Sequence, residues 1–415
     1  MGTSAPLPGP FASRPECLQH SGREAALLVV LLLPTLIGGA PPHDATGRKH
    51  PARSLQSPEK PVSWDPRLTS AYAALQAKDL TGAYRLSVLA EQHGAPRRAV
   101  LPLQAEIFRA ADYLDKEMSA LQQWTSAAPH DPAPWLKLFH IYLDLGWKHE
   151  AEAASRKACT LAPRNPRCYV TRALLAYRSN DPAAGLPAVK AAERLDPTNA
   201  EYGNLHASLL LKALRFPEAE KKSRRILQKA PQSKQDRLAL VQALLGQNET
   251  SEAEAILRSL QSQEPENAEV ACQLGLLAEK KHDQVEATRQ FEKAAASDAQ
   301  YSNVLWHLGR LYIQQRRTEE GQKLLKLYAR MDANASDFET LLKRLETRPD
   351  DISIHYRLAR AHQAADELPQ ATVEFRRVLQ LQPAHPEARK DLAAALTRAG
   401  RTTEARAVTL AHSRP

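Results

Sequence analysis

Two pairs of side chains in this 415-residue chain have the types and spacing for molecular recognition. Arg310 follows Trp306 by four residues, and Arg360 follows Tyr356 by the same step. Residues four apart share one face of a helix, so each arginine stacks with its aromatic partner there. Trp, Tyr and Arg are the types that carry most interface energy. The pairs admit two readings: aromatics packed between helices beneath solvated arginines, or a site for a peptide with an aromatic or acidic segment. Other reactive groups are scattered. His355 and His362, the nearest histidines on one helix, are two turns apart and too distant to share a metal. No phosphate-binding glycine loop, nucleophile elbow, zinc-protease motif or C-x-x-C occurs, so neither an enzyme nor a cofactor is expected. Cys159 and Cys168 bracket a turn, which makes them a candidate disulfide in an oxidising compartment; buried unpaired thiols are the other reading. Cys272 reads as packing.

The elements that position these residues are announced by proline. Pro129, Pro163, Pro197, Pro231 and Pro265 recur at a 34-residue step, and the ladder continues through Ala299 and Ala333. Two further columns keep the same register. Ala83, Ala151, Gly185, Ala219, Ala253, Ala287 and Gly321 form one, broken only by Glu117. Ala71, Ala105, Ala173, Ala207, Gly275 and Gly309 form the other, with Phe139 and Val241 as larger exceptions. Small residues on two successive helices let an antiparallel pair approach closely. Clusters such as HDPAP, PRNP, DPTN and RPDD supply caps and turns between helices. Sustained two-residue alternation is missing after residue 65, so the expected class is all-α.

A 34-residue period with these columns resembles the tetratricopeptide repeat over roughly residues 65–415. In the best unit, Trp135, Leu138, Tyr142, Gly146, Ala151, Ala158 and Pro163 fall at the family's signature positions. The units at 268–301 and 352–385 match through Leu274, Gly275, Ala287, Phe291 and Ala294, and through Leu358, Ala359, Ala371, Phe375 and Pro383. The resemblance implies a right-handed α-solenoid of antiparallel helix pairs, about 9–10 repeats, forming a ribbon far longer than it is thick. It also implies a concave groove lined by the first helix of each repeat. Trp306, Arg310, Tyr356, Arg360, Tyr177, Asn204 and Gln242 then occupy groove-facing positions, and the expected partners are proteins or peptide segments. The Lys–Asn pattern of the family members that clamp chaperone tails is not reproduced.

The register slips once. Pro349 and Pro383 are 34 apart, but Pro349 lies only 16 beyond Ala333. Ser336 and Glu339 form a capping box before the helically spaced Phe338, Leu341, Leu342 and Leu345, so one extra helix is expected near 336–347. The expected organisation is a first array at 66–333, a phase break at 334–349 and a second block at 350–415.

Residues 1–40 differ in kind. Ala25–Ile37 is a 13-residue apolar run after Arg14 and Arg23, ending in Gly38, Gly39 and Ala40. That length suits a signal-peptide core better than a span of about 20 residues, and an uncleaved membrane anchor is the second reading. Residues 41–65 read as a proline-rich linker.

The net charge of +9 is spread thinly. Lys221, Lys222, Arg224 and Arg225 form the densest basic run, without the interleaved aromatics of a nucleic-acid surface. No nucleic-acid partner is expected, and membrane contact is expected only through the apolar segment. The leading expectation is a non-enzymatic scaffold or adaptor, exported to the periplasm or another extracytoplasmic space, or anchored by residues 25–40. It would act in a cell-envelope assembly such as secretion, polymer export or outer-membrane biogenesis. The alternatives are an intracellular scaffold and an accessory subunit of a glycosyltransferase-type enzyme.

Overall fold

The computed structural model describes residues 65–297 and 302–410. The apolar run expected to be a signal peptide or anchor lies outside the described residues, as does nearly all of the linker. Among those described, no helix is long and apolar enough to cross a membrane.

After a short 3-10 turn at Pro66–Leu68, the described chain forms twenty α-helices and no strand. They come as ten consecutive pairs: α1 (Thr69–Gln76) and α2 (Leu80–Gln92); α3 (Arg97–Ala110) and α4 (Leu114–Ala127); α5 (Ala133–Asp144) and α6 (Lys148–Leu161); α7 (Pro166–Arg178) and α8 (Pro182–Leu195); α9 (Ala200–Lys212) and α10 (Phe216–Lys229). Then follow α11 (Lys234–Gly246) and α12 (Thr250–Gln263); α13 (Ala268–Lys280) and α14 (Gln284–Ser297); α15 (Ser302–Gln314) and α16 (Thr318–Thr347); α17 (Ile352–Ala364) and α18 (Leu368–Leu381); α19 (Pro386–Arg398) and α20 (Thr402–Leu410).

Each hairpin is turned by the same device. One residue after every first helix has positive φ: Lys78, Asp112, Gly146, Asn180, Leu214, Asn248, His282, Arg316, Asp366 and Gly400. The following N–H then bonds back five residues, as in Trp147 N to Tyr142 O at 2.8 Å and Arg215 N to Leu210 O at 2.9 Å. This closes the helix end by satisfying carbonyls that would otherwise be orphaned. The small columns meet inside each pair. Gly309 and Gly321 approach so closely that a methyl at Gly321 would lie 2.6 Å from Gly309 O, leaving no room for any side chain. Neighbouring second helices are tied by a recurring ion pair: Arg224 to Glu252 at 2.7 Å, Arg258 to Glu286 at 3.5 Å and Arg376 to Glu404 at 3.3 Å.

The phase break takes a different form from the one expected. Residues 336–347 are helical, but as the last turns of α16, which runs unbroken for 30 residues. No helix starts at Ser336. Nothing from Leu324 to Thr347 breaks a helix, and α16 ends two residues before Pro349, as the second helices ending at Ala127, Leu161, Leu195, Lys229, Gln263 and Leu381 end two residues before theirs.

The array also departs from a simple elongated ribbon, because its last block folds back on its early repeats. Leu341 and Leu345 of α16, Ile354 and Leu358 of α17 and Val373 of α18 share one core with Leu143, Leu145 and Trp147. Leu342 packs where a side chain at Gly146 would sit. Lys148 reaches Glu346 at 3.1 Å, and His149 Nε2 is 2.6 Å from Glu346 O. Two buried polar clusters complete this joint. Asp115 takes both terminal nitrogens of Arg401, at 2.8 and 2.9 Å, and lies 2.7 Å from Arg376 Nε. Glu374, with a fully buried side chain, accepts from Trp147 Nε1 at 2.7 Å and from His355 Nδ1 at 2.6 Å. A tight core can form across repeats this far apart because the long α16 carries the chain past the regular stacking position.

Candidate functional site

The residues expected to face the groove lie on first helices, and most are engaged with the next first helix. On α7, Tyr177 is buried, and the Lys212 ammonium sits 3.9 Å from its ring centroid while donating to Tyr177 O at 2.8 Å. Burial, with Arg178 nearby, lowers Lys212 to about 8. On α9, the Asn204 amide, oriented to satisfy its neighbours, donates to Asp236 Oδ1 at 2.9 Å and to Ala200 O at 3.1 Å. Burial raises the Asp236 carboxyl, against a hydrogen bond from Ser233. Gln242 lies half-buried on α11.

The two aromatic–arginine pairs are handled differently. In α17, Tyr356 OH donates to Asp391 at 2.8 Å and to Glu387 at 3.0 Å, and Arg360 donates to the same Asp391 at 2.9 Å. Both side chains are thus spent on α19. Burial, reinforced by the two carboxylates, pushes the Tyr356 phenol up to about 12. In α15, the Arg310 guanidinium carbon lies 4.4 Å from the Trp306 ring centroid. Trp306 is half-buried, and Arg310 is exposed with no ion pair among the described residues. A cation held over an indole and open on its outer side is a ready contact for a carboxylate or a second aromatic ring.

Cys159 and Cys168 are free thiols side by side at the α6–α7 junction. Cys159 Sγ donates to Cys168 O at 3.4 Å, and Cys168 Sγ to Ala162 O at 3.5 Å. Burial, reinforced by Cys159, pushes the Cys168 thiol up to about 12. Cys272 is buried too, and its thiol is likewise raised to about 12. No group of His, Cys, Asp and Glu suited to a metal ion occurs among the described residues.

One set of contacts escaped the sequence reading. Arg178, Lys212, Lys280 and Arg398, in equivalent places at first-helix ends, donate to the carbonyls of Leu143, Tyr177, Leu245 and Gln363, each 35 residues earlier. Cations suit helix C-termini. The signal was a basic column at the repeat step.

Sequence models of the tetratricopeptide repeat match residues 135–165, 170–234, 210–279, 276–345 and 356–412, together well over half of the chain. The chain belongs to the tetratricopeptide repeat family. Among solved structures, it is similar to a tetratricopeptide repeat protein from Parabacteroides merdae, at 14% identity and a TM-score of 0.49, over 59% of this chain and 96% of that one. It is also similar to human IFIT1, solved as a dimer with PPP-AAAA, at 15% identity and a TM-score of 0.43, over 81% and 87% of the two chains. A third similar structure is YrrB, described as a tetratricopeptide repeat protein with an unusual peptide-binding site, at 15% identity and 0.37, over 45% and 97%. No curated protein matches the chain.

Proposed function

We propose that the protein is a non-enzymatic adaptor that holds a partner protein on its first-helix face, with Trp306 and Arg310 as the point of contact. The observation that carries this reading is the exposed guanidinium stacked on Trp306, while the related Tyr356, Arg360 and Tyr177 are engaged internally. The matching ligand is a peptide segment with an acidic or aromatic residue. Arg310→Ala in the full chain is expected to reduce capture of native partners at least severalfold without lowering the melting temperature. Undiminished capture by a folded Arg310→Ala chain sinks the proposal, and Arg360→Ala, which leaves Asp391 with Tyr356 alone of its two donors, serves as the structural comparison. We further propose that residues 25–40 export or anchor this adaptor to a cell envelope, where it organises an assembly. The apolar run supports that reading. Fractionation with N-terminal sequencing tests it: a cytoplasmic chain with an intact N-terminus overturns it.

A further inference from the structure

The register slip leaves a helix uncovered. In most regular pairs the two main inward positions of the second helix are sealed, as Leu257 and Leu260 in α12, Phe291 and Ala294 in α14, and Phe375 and Val378 in α18 show; Ile226 in α10 is a half-buried exception. Their counterparts in α16, Leu325 and Tyr328, both keep part of their surface. From Gln322 to Asp337 no residue is buried. The cause is the length of α16. The next first helix, α17, docks further along, where the His362 ring lies 5.2 Å from Phe338 and where Leu341 and Leu345 are buried. It passes by the stretch that a following helix would cover in a regular array.

That stretch is built as an interface. Leu324, Leu327, Tyr328 and Met331 fall at i, i+3, i+4 and i+7, one stripe along the helix. Leu327 is 38% exposed. Positions equivalent to Leu327 and Met331 carry Ser259 and Gln263 in α12, and Lys293 and Ser297 in α14, all exposed and polar. Leu89 in α2 and Leu195 in α8 are exposed at these positions too, but α16 alone among the second helices carries large apolar side chains at all four positions of the stripe. Lys323, Lys326 and Arg330 run along one edge of the stripe. Lys326 and Arg330 have no ion pair among the described residues.

We propose that this seam takes an amphipathic helix from a partner protein, which lies along the uncovered stretch of α16 over Leu324, Leu327, Tyr328 and Met331 and turns an acidic edge toward Lys323, Lys326 and Arg330. The uncovered stretch is about 24 Å long at ~1.5 Å per residue, enough for a helix the length of a first helix here. The apolar stripe supplies burial, and the basic edge sets the partner's charge and orientation. The site is separate from the Trp306–Arg310 contact.

The test uses the full chain and two fluorescent helical peptides with the same leucine stripe, one edged with glutamate and the other with lysine. The glutamate peptide is expected to bind at least about tenfold more tightly at low salt. Leu327→Asp, at an exposed position, should abolish binding and leave the circular dichroism unchanged. Lys326→Glu with Arg330→Glu should reverse the preference, and Arg310→Ala should leave both affinities as they were. Equal binding of the two peptides, or a folded Leu327→Asp chain that binds normally, overturns the proposal. So does a dimer in sedimentation velocity that Leu327→Asp dissociates, since the seam would then serve a second copy of the chain.

Discussion

Replacing Asp115 by alanine should open the joint between the first and last repeats. Asp115 sits in the first turn of α4, where helix N-terminal polarity already favours a carboxylate. Its side chain is 5% exposed and that of Arg401 is 3% exposed. The two oxygens take both Arg401 terminal nitrogens, and the guanidinium also lies 4.6 Å from the Tyr113 ring centroid. Removing one partner of a buried ion pair costs about 3–5 kcal/mol, because the other charge is left desolvated. Here Glu404 still holds Arg401 at 2.8 Å, so the lower end, about 3 kcal/mol, is expected. Solenoids unfold in parts, so a single melting curve averages over the effect. Native-state hydrogen exchange resolves it: amides of α4, α18 and α20 should exchange about a hundredfold faster, with α12 and α14 unchanged. A double-mutant cycle with Arg401→Ala should return a coupling of about 2 kcal/mol across 286 residues of sequence. Additive effects, or unchanged exchange at α4 and α18, would refute the closed joint.

Two further outcomes follow from the same geometry. His355 donates from both ring nitrogens, to Glu374 Oε2 and to Pro349 O, which is the imidazolium form. Burial opposes that charge, but Glu374 and the carbonyl outweigh it and the pKa is raised. The stabilisation is therefore complete below the unfolded value of about 6.5 and is lost as pH rises through the folded one. The melting-temperature gap between the native chain and His355→Gln should shrink from pH 6 to pH 9; a constant gap contradicts this. Cys159 and Cys168 should form one intramolecular bridge when oxidised glutathione takes up their two electrons and two protons and leaves as two molecules of reduced glutathione. Peptide mapping without reductant reads it, and three free thiols in the folded, oxidised core would exclude it.

Much of the fold was written locally and repeatedly. Each rung from Pro163 to Pro265 ends a helix by the same backbone restriction, so every unit confirms its neighbours. The slip at Pro349 was visible for the same reason. The helix boundary inside it was not, because the Ser336–Glu339 spacing imitates a helix start within a continuing helix. The left-handed turn residues were equally hidden. Glycine marks only Gly146 and Gly400 among the ten hairpins, and exposed residues such as Leu214 and Arg316 take the same conformation at turns closed by backbone hydrogen bonds, Arg215 N to Leu210 O and Arg317 N to Tyr312 O. At the candidate site, Trp306 and Arg310 were legible as a pair. That Tyr356 and Arg360 would be drawn to Asp391 was not, since the helix period says which face a residue shares and not what lies opposite.

The sequence by itself determined the repeat, its length, its all-helical class and the place where the register breaks, because those rest on backbone and steric rules that act within a few residues. Only the tertiary structure decided that the last block returns to the early repeats, joining Asp115 to Arg401 and Trp147 to Glu374. It also decided which apolar stripe stays open. Both outcomes depend on the direction in which one 30-residue helix delivers the chain, and that direction is a sum over many packing contacts that no local pattern records.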